Sequence, residues 1–208
     1  EMQRSLVGSE MCIRDSRYDG VTPVEETMQA LIDIVKQGKA LYVGISKYPP
    51  AQAKIAYEML RAAGVPCLIS QYRYSMFDRT VEEKSLPLAA EQGSGFIAFS
   101  PLAQGLLTKK YLHGIPEHSR AARSTGFLKV DQVTEDKVGK ARRLDEIAAR
   151  RGQTLAEMAL AWVLKDERMT SVIVGTSSVK QLADNLHALD NLNFTNEELA
   201  EIEGILRL

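Results

Sequence analysis

From Thr22 onward the sequence keeps switching between two hydrophobic periods, and this alternation constrains the fold more than any other feature. Four short apolar runs of strand length, residues 41–46, 67–71, 95–99 and 171–174, are separated by stretches whose apolar residues recur every three to four positions. Val24, Met28, Leu31, Ile32 and Val35 fall on one helical face. Thr22-Pro23-Val24-Glu25 reads as a capping box ahead of that helix, and Gly38 as its stop. The pattern repeats with a helix over 51–63 ended by Gly64, and with a second box, Thr80-Val81-Glu82-Glu83, opening a helix that stops near Gly93. Residues 100–133 have little period and read as a loop. Helices over 134–151 and 154–165 follow, the second opened by the box Thr154–Glu157. A helix over 179–189 and a last one after Thr195 complete the chain.

Strands that alternate with helices need crossover connections, which make a parallel sheet and an α/β fold. Four such units form either half of an eight-stranded barrel or a small open doubly wound sheet. No G-x-G-x-x-G follows a strand, which argues against the dinucleotide-binding form of the open sheet.

The first sixteen residues, EMQRSLVGSEMCIRDS, show neither period, and part of the stretch resembles translated adapter sequence. Residues 1–16 are therefore expected to be a non-native, irregular leader, and 17–208 the folded domain. Twenty-six basic against 27 acidic residues give a net charge of -1, which supplies no attraction for nucleic acid or an anionic membrane surface. No apolar run approaches the roughly 20 residues of a membrane helix. Cys12 and Cys67 stand far apart, which points away from a disulfide framework or zinc site and toward a reducing, cytoplasmic setting. His113, His118 and His187 lack metal-ligand spacing.

Two stretches carry chemistry. In FIAFSPLAQGLLTKKY, residues 96–111, a strand ends in Phe99 and runs at once into Ser100, Pro101, Leu102 and Gly105. A flat ring at a strand end can stack on a planar ring, and nearby hydroxyl and N–H groups can meet a pyrophosphate. In SVIVGTSSVKQLADNL, residues 171–186, a strand leads through Gly175, Thr176, Ser177 and Ser178 into a helix. Hydroxyls at a helix start, with free N–H groups and the dipole, make a phosphate site. Gln181, Asp184 and Asn185 lie about a turn further on, within reach of an adenine or ribose. Ser178 and Gln181 also read as an ordinary capping box.

Both stretches resemble the aldo-keto reductase superfamily, nearest its bacterial glyceraldehyde-3-phosphate reductase and potassium-channel β-subunit branch, and the likeness runs from Arg17 to the C-terminus. The resemblance implies the C-terminal half of a (β/α)8 TIM barrel and NADP(H) as cofactor. It implies that Phe99 stacks on the nicotinamide while Ser46 and Gln71 hold its carboxamide. Ser100, Leu102 and Gly105 would line the pyrophosphate, and Lys110 and Arg120 would clamp phosphates. Gly175, Ser177 and Gln181 would meet the 2′-phosphate end, with Asp184 and Asn185 near the adenine. The chain departs from the branch at Lys47, Lys109 and Asp184.

The family reduces aldehydes and ketones to alcohols with a tetrad of aspartate, tyrosine, lysine and histidine. The resemblance places the first three in the other half of the barrel, and the histidine position falls at Ser16. The expectation is thus a cofactor-binding fragment of an oxidoreductase acting on a small-molecule carbonyl substrate, inactive alone and prone to self-association through open sheet edges. The alternative is a non-catalytic NADP-binding or interaction module similar to the channel β subunits.

Overall fold

The computed structural model describes residues 12–15, 18–117, 119, 121–122 and 128–207, with the backbone alone at 12–15. The chain divides into two compact units. The first runs up to Tyr72 and adds Thr80–Ile97; the second joins Arg73–Arg79 to the residues from Ala98 onward.

The first unit holds β1 (Cys12–Asp15), α1 (Val24–Lys36), β2 (Tyr42–Ser46), α2 (Pro50–Ala62), β3 (Cys67–Arg73, apart from its last residue), α3 (Ser85–Glu91) and the start of β4 (Gly95–Phe99). Its strands lie in the sheet in chain order, and β1–β2 and β2–β3 pair parallel. This is the α/β arrangement with parallel strands expected of a partial barrel. Val24, Met28, Leu31 and Ile32 of α1 are buried, as are Val43 and Ile45 of β2 and Ala53, Ala56, Tyr57 and Leu60 of α2. The helical face read from the sequence is therefore the packed one. A Cβ added to Gly44 would sit 2.8 Å from the Ile69 carbonyl oxygen, beside a register shift in the β2–β3 pair. Only glycine lets the two backbones approach this closely.

Three expectations are corrected in this unit. Residues 12–15 are a strand rather than irregular leader, because β2 offers an edge of backbone donors and acceptors that four extended residues can pair; residues 1–11 and 16 lie outside the described residues. Thr22 does not cap α1. Its hydroxyl donates instead to Asp19 Oδ2 at 2.6 Å, while the N–H groups of Val21 and Thr22 donate to Asp19 Oδ1. That hydroxyl, then the backbone donors, hold the exposed Asp19 carboxyl below its ordinary range. The Thr80–Glu83 box opens no helix, since residues 80–84 form turns and α3 starts at Ser85. Proline accounts for the delay: a helix begun at Val81 would carry Pro87 in its interior, whereas the observed start puts it in the first turn, where no N–H is needed.

The second unit holds the end of β4, α4 (Glu135–Arg150), α5 (Leu155–Leu164), β5 (Met169–Ile173), α6 (Val179–Leu186) and α7 (Asn196–Arg207). Short 3-10 turns at Ala103–Gly105, Lys109–Tyr111 and Val130–Gln132 interrupt the expected loop, and a fourth at His187–Asp190 replaces the end of the helix expected over 179–189. β5 begins two residues earlier than expected, directly after the Asp166–Arg168 turn. Apolar but for Glu157, α5 buries Leu155 and the run from Met158 to Val163, and α4, which packs on it, buries Leu144, Ile147 and Ala148. The Thr154 box is complete: Thr154 N–H donates to Glu157 Oε2 at 2.6 Å and Glu157 N–H to Thr154 Oγ1 at 3.2 Å. Among the described residues no helix is long and apolar enough to cross a membrane.

Candidate functional site

In the second unit the loop after β4, the turn after β5 and the start of α5 converge on one cleft of about 640 Å³, within the range of small-molecule sites. One wall is built by backbone that L-residues rarely adopt. Ser100, Ala103 and Gln104 all have positive φ, at 55°, 47° and 63°. Such strain persists only where surroundings fix it. Here Ala103 N–H donates to Ser100 O, and the Gly105 and Leu107 N–H groups both donate to Leu102 O. Thr108 closes the loop, donating to Gly105 O at 2.7 Å while accepting from Lys110 N–H at 3.2 Å. Ser100, Leu102, Gly105 and Lys110 all line the cleft.

The opposite wall is the turn from β5 into α6, where Gly175, Ser177, Gln181, Asp184 and Asn185 face the cleft. Ser178 caps α6, its hydroxyl accepting from Gln181 N–H at 3.2 Å. The reciprocal half of the expected capping box is missing. Gln181 Oε1 accepts from Ser177 instead, from its N–H at 2.9 Å and its hydroxyl at 3.0 Å. Asp184 is held by Lys180 at 3.3 Å, and Lys109 pairs with Asp145 at 3.6 Å. Lys110, by contrast, has no ion-pair partner among the described residues, so its charge is available to the cleft.

The helix α6 is amphipathic in an inverted sense. Gln181, Asp184 and Asn185 line the cleft, while Val179, Leu182 and Leu186 are 86%, 44% and 57% exposed on the other side.

Phe99 closes β4 beside Ser100, with its carbonyl accepting from Tyr74 N–H at 3.4 Å, but it is not among the lining residues. Arg120 lies outside the described residues. Thr154 and Ala156 at the start of α5 were missed in the sequence, as were Thr108 and Gln104, while Thr176, read there as one of the helix-start hydroxyls, does line the cleft. The Thr154 box was legible, yet nothing local in it says that the helix start faces a cleft formed some twenty residues further along the chain.

In the first unit, Ser46 at the end of β2 is in register with Gln71, two residues before the end of β3. The buried Ser46 hydroxyl donates to Gln71 O at 3.0 Å, and Lys47 N–H donates to the same oxygen at 3.0 Å. With its hydrogen committed, Ser46 Oγ can only accept from a further group. Lys47 takes φ 57°, so the chain turns sharply where the strand ends. Tyr48, Tyr57 and Tyr72 are buried here, whereas Tyr42 is about half exposed. Tyr72 donates to Tyr48 O at 2.7 Å and stacks on Phe96. Tyr57 bonds Ser70 at 2.6 Å, and burial pushes its hydroxyl up to about 12. Burial also raises Tyr72 and the Cys67 thiol.

The sequence pattern of the Aldo/keto reductase family matches residues 16–207. The chain is 48% identical over 191 residues to the L-glyceraldehyde 3-phosphate reductase of Escherichia coli O157:H7, and 47% identical to that of Escherichia coli strain K12. Each match covers 90% of this chain and 55% of the relative, so the chain spans about half the length of the curated relatives it matches.

Proposed function

We propose, from the premise that the chain belongs to the aldo/keto reductase family, that its cleft holds the adenine and phosphate end of NADP(H). The observation that carries this reading is the convergence of the Ser100–Lys110 loop and the start of α6 on one cleft. The donor set suits the group. Ser177, Thr176 and the start of α6 offer hydroxyl and N–H donors to a 2′-phosphate, with the dipole favouring the charge. Backbone of the Ser100–Gly105 loop and the Lys110 ammonium suit a pyrophosphate, and Asp184 and Asn185 offer polar atoms to an adenine. When bound, the cofactor supplies a hydride to a carbonyl carbon; this chain's residues bind and orient it.

The relatives' names suit small aldehydes of the glyceraldehyde 3-phosphate kind as substrates of the whole enzyme, and the two widely separated cysteines suit a cytoplasmic setting. This chain binds cofactor without the proton donor that the reaction needs. It also self-associates, because β5 closes the strand order and the apolar side of α6 stands in water. Sedimentation velocity should show dimers or larger species at micromolar concentration, and a clean monomer would refute that part.

Calorimetric titration tests the site. 2′-Phospho-AMP should bind about 10-fold or more tightly than AMP, since a charge-assisted hydrogen bond is worth about 1.5–3 kcal/mol. Added salt should weaken it, as should Ser177→Ala and Lys110→Ala. Equal affinity for the two nucleotides would remove the NADP assignment.

A further inference from the structure

The second unit contains another cleft, of about 240 Å³, which shares no lining residue with the larger one. Its walls are the turn after β3, the start of α4 and the end of α7. Four of its eight lining residues are cationic, Arg79, Lys137, Lys140 and Arg207, and only Asp136 is acidic. Met76, Phe77 and Leu206 supply an apolar remainder. A cleft lined mainly by one sign of charge focuses the field and gathers counter-ions.

These cations are held by the fold rather than spread over open surface. The Ser75 and Asp78 backbones pair across a tight turn that carries Met76 and Phe77. Next in the chain, Arg79 lies over the Trp162 ring, 5.3 Å from its centre, and bonds Glu203. Arg207 Nε donates to the same carboxylate at 2.8 Å, so one acid serves two guanidiniums. Lys140 pairs with Asp136 at 3.1 Å, and its side chain is only 18% exposed. Lys137 donates to the Gln132 carbonyl at 3.2 Å and has no ion-pair partner among the described residues. Its place is a poor one for a cation: Lys137 is the third residue of α4, where the helix dipole favours anions. Lys140, three residues on, adds a like charge on the same side. A bound anion offsets both costs.

We propose that this cleft is a second anion site, one that takes a phosphate group, free or carried on a small organic body. Guanidinium forks match phosphate oxygens, and the two lysines add point charges. The apolar residues leave room for a short carbon body beside the phosphate. Nothing here depends on the nucleotide reading of the larger cleft.

The test is to titrate inorganic phosphate, propyl phosphate and sodium chloride separately into isotope-labelled chain, at matched ionic strength, while following the Lys137 and Lys140 amide resonances. Both phosphates should move these amides saturably, and chloride should not. Tighter binding of propyl phosphate identifies a phosphate ester as the ligand, whereas equal binding identifies free phosphate. Lys137→Gln should weaken binding about 3- to 5-fold, the scale of one exposed charge contact, without lowering the melting temperature. Arg207→Gln should act in the same direction, and Lys110→Ala, in the larger cleft, should change nothing at these amides. Shifts that chloride reproduces would be general screening and would overturn the site. Full affinity retained in both the Lys137→Gln and Arg207→Gln chains would overturn it equally.

Discussion

Purified chain given NADPH and a panel of small aldehydes is expected to oxidise the cofactor no faster than a protein-free control. Carbonyl reduction needs an acid that meets the forming alkoxide, and a positioned acid contributes about 10²–10⁴ in rate. Five of the described tyrosines are buried, Tyr18 lies against the Tyr48 ring, and Tyr42 on β2 is about half exposed. Tyr72 and Tyr57 spend their hydroxyls on Tyr48 O and Ser70, and burial raises both, the wrong direction for a group that must surrender a proton. Tyr48, Tyr74 and Tyr111 are buried, Tyr74 against the Trp162 ring. Aldehyde-dependent oxidation that disappears when one tyrosine is changed to Phe would reveal a donor and refute this account.

The largest loss of stability is expected from Arg151→Ala. Arg151 follows α4 with its side chain only 2% exposed, and its guanidinium is fully engaged. It bonds Glu198 Oε2 at 2.5 Å, Gln153 Oε1 at 2.9 Å and Asn193 O at 2.9 Å, and lies 3.7 Å from the centre of the Phe194 ring. Glu198 also accepts from Thr195 N–H at the start of α7, so one cation ties the end of α4 to that helix start. Truncation takes the arginine donor from the Asn193 carbonyl and leaves the Glu198 carboxylate to its Thr195 N–H, a loss of about 3–5 kcal/mol. Lysine should restore little, because a point charge cannot span the fork. The neighbouring Arg150 pairs with Glu201 in the open, both about half exposed, and Arg150→Ala should cost no more than about 1 kcal/mol. Urea unfolding of the three variants makes the comparison; equal losses at 150 and 151 would contradict it.

The alternation of strands and helices was legible because burial imposes a period on each, and α1 buries four of the five residues its spacing selected, with Val35 half-buried. The element starts were harder to read. Thr22 and Thr80 carry the same box pattern as Thr154, yet only Thr154 forms it. Asp19 takes the first threonine's hydroxyl, and Pro87 delays the second helix. Both competitors lie outside the four residues that define the box. The site showed the same division. Glycines and hydroxyls punctuating two strand ends marked most of the cleft's lining, because tight turns and anion donors need those residue types. Thr154 and Ala156 come from a helix start distant in sequence, and the Gln181 side chain had two partners within reach. Neither choice is written in local spacing.

The helix α6 separates two properties that usually trade against each other in one element. Its cleft-facing residues and its water-exposed leucines and valine occupy different sides. Colloidal behaviour and ligand chemistry can therefore be adjusted independently. Charged replacements at Val179, Leu182 and Leu186 alter the solvent side while leaving every cleft-lining atom of the helix in place. A protein engineer thus has a route to a well-behaved sample that costs nothing at the site, a freedom absent wherever the apolar face of a helix is also its packing face.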